Sequence, residues 1–178
     1  MAKKIFPLSK VYTLIEPGPV VMVTTVRKGR PNIMTLAWHT MIDFEPPLLG
    51  FVMSNRNYSF KSLKASGECV INIPDVTLAK QAVGCGNTSG RTVDKFKAFH
   101  LTPLKASRVK APMIGECFAH LECKVIDAKM AFRYNFFILE VVRAWIELRN
   151  KQPRTIHHRG KDVFMVSGKA LRLPSKMK

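Results

Sequence analysis

The chain has 178 residues, of which 47% are hydrophobic and 23% are charged, and its 29 lysines and arginines outnumber 12 aspartates and glutamates to give a net charge of +17. A chain of this length buries roughly 70% of the surface that its unfolded form exposes, so it can fold as one domain without a disulfide or metal staple. The composition is that of an ordinary globular protein, and no apolar run is long enough for a membrane-spanning helix.

The positive charge favours anionic partners such as nucleic acid, acidic lipid or phosphorylated small molecules. The basic residues are scattered along the chain, and they cluster only at the two ends, in Lys3-Lys4 and in residues 169–178. A soluble surface that is merely rich in lysine is therefore the alternative interpretation.

The cysteine pattern indicates buried thiols and no metal site. Cys69, Cys85, Cys117 and Cys123 form no CxxC or CxxC…HxxxH spacing, so zinc binding is not expected. We predict that Cys117 and Cys123 share one face of a strand. The N-terminus lacks the apolar core of a signal peptide, and together these features predict a reducing, cytoplasmic location.

The predicted elements of the first half are short. Residues 1–16 form a predicted N-terminal arm. The elements that follow are a strand over Val20–Val26, a turn at Lys28–Pro31, a strand over Ile33–Trp38, a strand over Leu48–Met53, a helix over Ser59–Ala65 capped by Asn57 or Ser59, a strand over Cys69–Ile73 and a helix from Asp75 or Thr77 to Val83.

The second half is predicted to be mainly β. After a loop come a helical turn, four strands and a basic tail: Gly84–Thr92, Asp94–Phe99, Glu116–Asp127, Tyr134–Glu147, Thr155–His158, Val163–Val166 and 174–178. Many short strands and few helices, without a βαβ rhythm, predict an antiparallel barrel with small helical insertions. We treat residues 1–178 as a single domain.

One segment, Asn32–Ser59, carries most of the chemistry. A polar patch around His39 separates its two apolar strands, and the second strand ends in Ser54-Asn55-Arg56-Asn57-Tyr58-Ser59. A phosphate needs charge-assisted donors and free backbone N–H groups, which a guanidinium, two hydroxyls and the start of a helix can supply. A polar turn with a helix cap is the alternative.

Other motifs fail. The glycine-rich loop has neither the dinucleotide fingerprint nor the Walker spacing, so it either lines a site through Asn87, Thr88, Ser89 and Arg91 or is a plain surface loop. No GxSxG elbow is present and the histidines are dispersed. His157-His158 lies on a predicted strand, so the two side chains point to opposite faces and cannot chelate one metal.

The combined pattern resembles a known family. The segments PVVMVTT, GRPNIMTLAWHTMIDFEPPLLGFVMSNRNYSFKSLKASGECVINIP, the later Asp94-Lys95-Phe96, the strand Phe137–Val142 and the Gly160–Gly168 hairpin are similar to the flavin reductase-like, FMN-binding split-barrel family, which includes the flavoredoxins. The resemblance runs from about Pro17 to Leu173. It implies an antiparallel, six-stranded Greek-key split barrel that binds FMN near the interface of a homodimer.

The resemblance also implies roles for single residues. Thr35, Leu36, Ala37 and Trp38 would face the isoalloxazine and ribityl chain, and Ser54, Asn55, Arg56 and Ser59 would hold the phosphate. Lys95 would lie near the N1–C2=O edge of the ring. Phe164 would contact the ring from the late hairpin of the same or the other subunit.

The implied activity is that of an FMN-dependent oxidoreductase that takes electrons from NAD(P)H or from a redox protein. Many relatives have a histidine where this chain has Tyr134-Asn135, and a tyrosine with a pKa near ~10 is a poor acid–base group at neutral pH. We therefore assign no catalytic residue. A flavin carrier or sensor without turnover is the alternative. A barrel that binds nucleic acid or an acidic partner is disfavoured, because aromatic and basic residues do not alternate.

Overall fold

The computed structural model describes residues 3–11, 18–149, 152–159 and 161–174. Within these ranges the protein is mainly antiparallel β-structure with few helices. The strands are β1 Lys3–Phe6, β2 Val21–Arg27, β3 Arg30–Leu36, β4 His39–Phe44, β5 Pro47–Val52, β6 Glu68–Ile73, β7 Pro103–Leu104, β8 Met113–Ile114, β9 Ala119–Asp127, β10 Phe136–Glu147, β11 Ile156–His158 and β12 Phe164–Val166. The α-helices are α1 Tyr58–Ser66, α2 Ala79–Asn87, α3 Lys95–Ala98 and α4 Ala131–Tyr134.

The main sheet has the strand order β3-β2-β6-β9-β10-β5-β4, and β1 pairs with the far half of β10. This makes eight strands rather than the six that the resemblance implies. The first hairpin, β2–β3, and the second, β4–β5, lie at the two ends of this order. Strands β6, β9 and β10 fill the space between the two hairpins.

Two residues, Ala37 and Trp38, join the ends of the sheet. Seven strands laid flat would separate β3 from β4 by about 29 Å, because strands lie ~4.8 Å apart. Three Cα–Cα steps from Leu36 to His39 span at most ~11 Å. The sheet therefore curls into a barrel that stays split between β3 and β4, as the sequence predicted for the fold class.

Local sequence explains the turns. Lys28 and Gly29 both have positive φ, at 50° and 74°, which is the two-residue hairpin geometry that matches the twist of β2 and β3. Gly67 ends helix α1 in the left-handed conformation, and its N–H donates to the Leu63 carbonyl at 2.8 Å. Asn57 occupies the predicted N-cap position of α1, without a side-chain capping bond.

The core has three parts. The barrel interior packs around Phe51 and Phe137, while helix α2 and the β11–β12 hairpin bury a second cluster that includes Met22 and Ile156. A third cluster lies around Val70, where the segment 104–113 covers the outside of the sheet. The second cluster packs α2 and the hairpin against β2 and β3.

The predicted loop Gly84–Thr92 is wrong in its first part, because helix α2 continues to Asn87. Gly84 serves close packing rather than a turn, because a Cβ there would lie 2.3 Å from Cε1 of Phe99. A Cβ on Gly86 would lie 3.4 Å from Cβ of Thr35, which is an ordinary contact. The missing side chain at Gly84 therefore lets the helix lie directly against Phe99.

Three other predictions need correction. Part of the predicted arm, residues 3–6, is strand β1, and the polar patch at His39 is strand β4. Cys117 precedes β9 and packs in the second cluster, whereas Cys123 lies in the barrel interior, so the two thiols do not share a strand face. The tail residues 175–178 lie outside the described ranges.

A buried carboxylate attaches the segment 104–113 to the sheet. Glu122 is fully buried and accepts hydrogen bonds from the Ser107 N–H (3.1 Å), the Arg108 N–H (2.5 Å) and Trp145 Nε1 (2.7 Å). Burial raises the pKa of Glu122, but these donors together outweigh burial and hold its pKa below the ordinary value. The ionised carboxylate is therefore the form that the fold stabilises.

We expect Glu122→Gln to lower the free energy of unfolding by about 2–3 kcal/mol at neutral pH, because an amide cannot accept all of these bonds. Since the folded-state pKa lies below the unfolded one, the difference from wild type should be complete above about pH 5 and shrink as pH falls through that folded value. Urea unfolding across this pH range measures it. A constant difference would show that the charge contributes nothing.

Candidate functional site

Two adjoining cavities lie at the split of the barrel. The larger has a volume of about 1000 Å³ and a mostly apolar wall, and the smaller has a volume of about 290 Å³ and a polar wall. Both are lined by a common set of residues: Met34, Thr35, Asn57, Gly86 and Asn87. One ligand with an apolar and a polar end can therefore occupy both cavities.

Strand β3 and helix α2 form the shared wall. The Thr35 hydroxyl donates to the Ala82 carbonyl at 2.5 Å, which fixes the helix against the strand. This bond uses the hydroxyl proton, so Thr35 offers a ligand only its oxygen lone pairs. Because β3 is an end strand, its outer edge also has backbone groups that no neighbouring strand pairs.

The two-residue link across the split lines the large cavity. Trp38 is 73% exposed, although its carbonyl accepts the Val52 N–H at 2.9 Å and holds the backbone in place. Next to it, His39 Nε2 donates to the Pro19 carbonyl at 2.6 Å. Burial lowers the pKa of His39 more than this bond raises it. Trp38 is thus not a core aromatic but an indole at the cavity surface.

The β11–β12 hairpin supplies a further part of the wall. The His158 and Phe164 rings lie 5.2 Å apart between centroids, and both line the large cavity. The hairpin is attached through Ile156, which is buried and whose carbonyl accepts the Val20 N–H at 2.7 Å. In this chain Phe164 therefore reaches the cavity of its own subunit.

The small cavity has the donors of an anion site. Arg56 lies on its wall, and the buried Ser59 hydroxyl oxygen accepts from Asn32 Nδ2 at 2.7 Å, which leaves the hydroxyl proton free to donate. Thr88 and Ser89, which we predicted as alternative lining residues of a loop, also line it, whereas Arg91 does not.

Lys95 lies in the wall of the small cavity. It is 5% exposed, and its Nζ donates to the carbonyls of Ile33 (2.7 Å) and Cys85 (2.6 Å). An ammonium has three donors, so one N–H remains for a ligand. Burial lowers the pKa of Lys95, and the neighbouring Cys85 thiol raises it in part. Lys95 thereby also ties strand β3 to helix α2.

The structure brings nine of the ten predicted residues to these cavities. The large cavity has Thr35, Leu36, Ala37, Trp38, Ser54 and Phe164 in its wall, and the small one has Thr35, Arg56, Ser59 and Lys95. Asn55 lines neither cavity, and its N–H donates to Asn135 Oδ1 at 3.0 Å. Its contact with the phosphate stays a prediction.

Two residues do not lie in the cavities expected from their predicted roles at the ring or at the phosphate. Ser54, expected beside Arg56 at an anion, lies in the wall of the large cavity only. Lys95, expected at the ring, lies in the wall of the small cavity only. Tyr134 is more than half exposed and lines neither cavity; the Arg133 guanidinium lies 5.3 Å from the centre of its ring.

Sequence reasoning missed Asn32. Asn32 is nearly buried, and its Oδ1 has no hydrogen-bond partner although it lies at the small cavity. If the amide is turned over, Ser59 donates to Oδ1 and Nδ2 faces the cavity instead, so either orientation leaves one polar atom for a ligand. The sequence signal that could have indicated Asn32 is a single amide side chain within an apolar strand.

Among the described residues, no three His, Cys, Asp or Glu side chains are grouped so that they could hold a metal ion. In the same ranges, no helix has the length and apolar character needed to cross a membrane.

Comparison with known proteins identifies the family. The flavin reductase-like domain matches residues 14–164, which is most of the chain and includes both cavities. The chain belongs to the flavin reductase-like family. Among curated relatives, the uncharacterized protein YddH of Escherichia coli (strain K12) is 29% identical over 170 residues, which cover 88% of this chain and 90% of YddH.

Solved structures of this family share the split-barrel fold. An FMN-binding domain of a flavin reductases-like enzyme from Shewanella baltica OS155 superposes with a TM-score of 0.91 at 25% identity, covering 97% of this chain and 98% of that one. The flavoredoxin of Desulfovibrio vulgaris (Miyazaki F) has a TM-score of 0.82 at 26% identity, covering 92% and 94%. The family assignment and the fold class predicted from sequence are thus confirmed.

Gly90 tests the packing of the small cavity. A Cβ at this position would lie 2.0 Å from Asn32 Oδ1 and 3.0 Å from Cδ1 of Tyr58. We expect Gly90→Ala to displace the Asn32 amide and to cost about 1–3 kcal/mol of stability in chemical unfolding. Gly86→Ala is the matched control: it adds helix propensity at ordinary contact distance, so its stability should be unchanged or higher. Equal losses would contradict the steric argument.

Proposed function

We propose that the protein is an FMN-dependent oxidoreductase of the flavin reductase or flavoredoxin type. The observation that carries this proposal is the pair of adjoining cavities, one apolar and aromatic and one polar and cationic, with Thr35 in both walls. FMN has the same division between a planar ring system and a phosphate. We place the isoalloxazine in the large cavity and the phosphate in the small one.

The donor set of the small cavity fits a phosphate. Arg56 supplies a forked cation, Lys95 a third ammonium N–H and Ser59 a hydroxyl proton. The unpartnered Asn32 oxygen lies where a ribityl hydroxyl can donate to it. We therefore assign Lys95 to the phosphate end, in place of the N1–C2=O edge that the resemblance implied.

The large cavity fits a planar ring system. Leu36 and Ala37 supply apolar contacts, Ser54 supplies a hydroxyl, and Trp38 and Phe164 supply aromatic surface from the link and from the hairpin. When bound, FMN supplies the redox chemistry, and the chain orients the ring and limits the access of water.

We propose NAD(P)H or a redox protein as the electron donor. Tyr134 in place of a histidine, exposed and outside both cavities, leaves the site without a neutral-pH acid–base group at that position. A flavin carrier or sensor without turnover is accordingly the second candidate, and the same observation favours it.

We also propose a homodimer in the cytoplasm. Strand β4 is an end strand whose Ile42 and Phe44 are about half exposed, and covering such an edge is a common reason for association. The four cysteine thiols are buried and unpaired, which suits a reducing compartment.

Flavin titration tests the cofactor assignment. We expect the purified protein to bind FMN with a shift in its visible absorption, and Arg56→Ala to raise the dissociation constant about tenfold through loss of a charge-assisted bond. Arg91→Ala is the control, because Arg91 is an arginine of the neighbouring loop that lines neither cavity. Equal effects of both substitutions, or no binding by wild type, would contradict the assignment.

Turnover separates the two candidate functions. An oxidoreductase that uses nicotinamide nucleotides should oxidise NADH or NADPH with FMN present and slow by at least tenfold without it. A carrier should bind FMN with the same affinity but show no oxidation above the rate of free FMN. Stopped-flow absorbance of the loaded protein mixed with each nucleotide distinguishes these outcomes.

A further inference from the structure

We propose that the large cavity binds, beside the flavin ring, a planar second substrate that carries one carboxylate, which Lys80 and Lys161 recognise. This inference rests on the proposed function, since it concerns the space that the flavin leaves. It names a substrate class and two specificity-determining residues.

The cavity has room for a second molecule. Pockets for a single drug-sized ligand have volumes of about 300–1,000 Å³, so a cavity of about 1000 Å³ is at the upper end of this range. The phosphate has a separate cavity of about 290 Å³, and the large one needs to hold only the ring and part of the ribityl chain. Space therefore remains next to the ring.

The walls of this space favour a planar molecule. The Trp38 indole remains 73% exposed at the cavity, and the His158–Phe164 ring pair lines the same cavity from the hairpin. Aromatic side chains in the wall of one cavity stabilise flat, conjugated molecules through stacking. This geometry selects the shape of the second substrate but not its charge.

Two exposed lysines in the wall of the large cavity supply the positive charge that would select an anion. Lys80 lies in the first turn of α2, and Lys161 lies between β11 and β12, where its carbonyl is 3.1 Å from His158 Nε2. Both lysines line the large cavity, are exposed, and form no ion pair with any residue that the structure describes. Neither lines the small cavity, so they are separate from the phosphate site.

The chemistry of this wall indicates a carboxylate. Asp162 lines the same cavity, so the two lysines and this aspartate leave a net charge of one, which suits a monoanion better than a phosphate dianion. Lysine also acts as a point charge, whereas the forked guanidinium that suits phosphate lies at the small cavity in Arg56. The two ends of the site are thus matched to different anions.

A pair of isosteric probes tests the proposal without turnover. The FMN-loaded protein is titrated with 4-nitrobenzoate and with neutral 4-nitrobenzamide, and binding is followed by perturbation of the flavin absorption. We expect the anion to bind about fivefold to tenfold tighter at low salt, and the preference to weaken as ionic strength rises. The double variant Lys80→Met/Lys161→Met should bind both probes equally.

Controls separate this inference from the proposed function. Lys124→Met, an exposed lysine outside both cavities, should keep the preference for the anion. Equal binding of the two probes by wild type, or tighter binding of the phosphate probe nicotinamide mononucleotide, would overturn the carboxylate site while leaving FMN binding intact. A loss of FMN affinity in the double variant would place the lysines in the flavin site, and failure of wild type to bind FMN would overturn both proposals.

Discussion

The covalent link Ala37–Trp38 is the constraint on which the rest of the structure depends. It joins the two ends of a seven-strand path and so forces the sheet to curl, while β3 and β4 themselves do not pair. The gap that remains is where the cavities lie, and the helix and hairpin that bury the second core cluster are the walls of that gap. The element that closes the barrel therefore also creates the candidate site.

Two buried charges, Glu122 and Lys95, are held mainly by backbone groups rather than by opposite charges. Glu122 receives N–H groups from the segment that covers the sheet, and Lys95 donates to two carbonyls. A chain with 29 basic and 12 acidic residues has few carboxylates to spare for ion pairs. Backbone partners satisfy buried charges without them, and most cations stay at the surface, where they attract anionic ligands.

The sequence predicted the strands of the barrel well because alternating β-branched residues and turn residues are local signals. The turn predicted at Lys28–Pro31 is present, with positive φ at Gly29, and Gly67 has positive φ just past the end of α1. The helix over Gly84 and Gly86 was predicted as a loop, since a glycine inside a helix, such as Gly84 packed on Phe99, looks the same in sequence as one that makes a turn. Strand β4 was missed because it is an end strand with a polar, half-exposed pattern.

The site was predictable in its residues but not in their arrangement. The resemblance supplied Trp38, Arg56 and Lys95, and the cavities include all three. Lys95 and Arg56 lie in the wall of the same cavity because of the way in which α2 packs against β3. These two elements are far apart in the chain, so local sequence does not predict how they pack. Asn32 was missed for the same reason: its role comes from the Ser59 contact across 27 residues of chain.

The position of Lys95 gives the site a mechanical property. Its two carbonyl bonds hold the last turns of α2 on β3, and the ammonium keeps a third N–H, which neither carbonyl uses, in the wall of the small cavity. An anion that accepts a hydrogen bond from this N–H joins a hydrogen-bond network that connects the ligand, through Lys95, to α2 and β3. We expect amide exchange in α2 to slow when the site is filled, because local opening of the helix then requires release of the ligand.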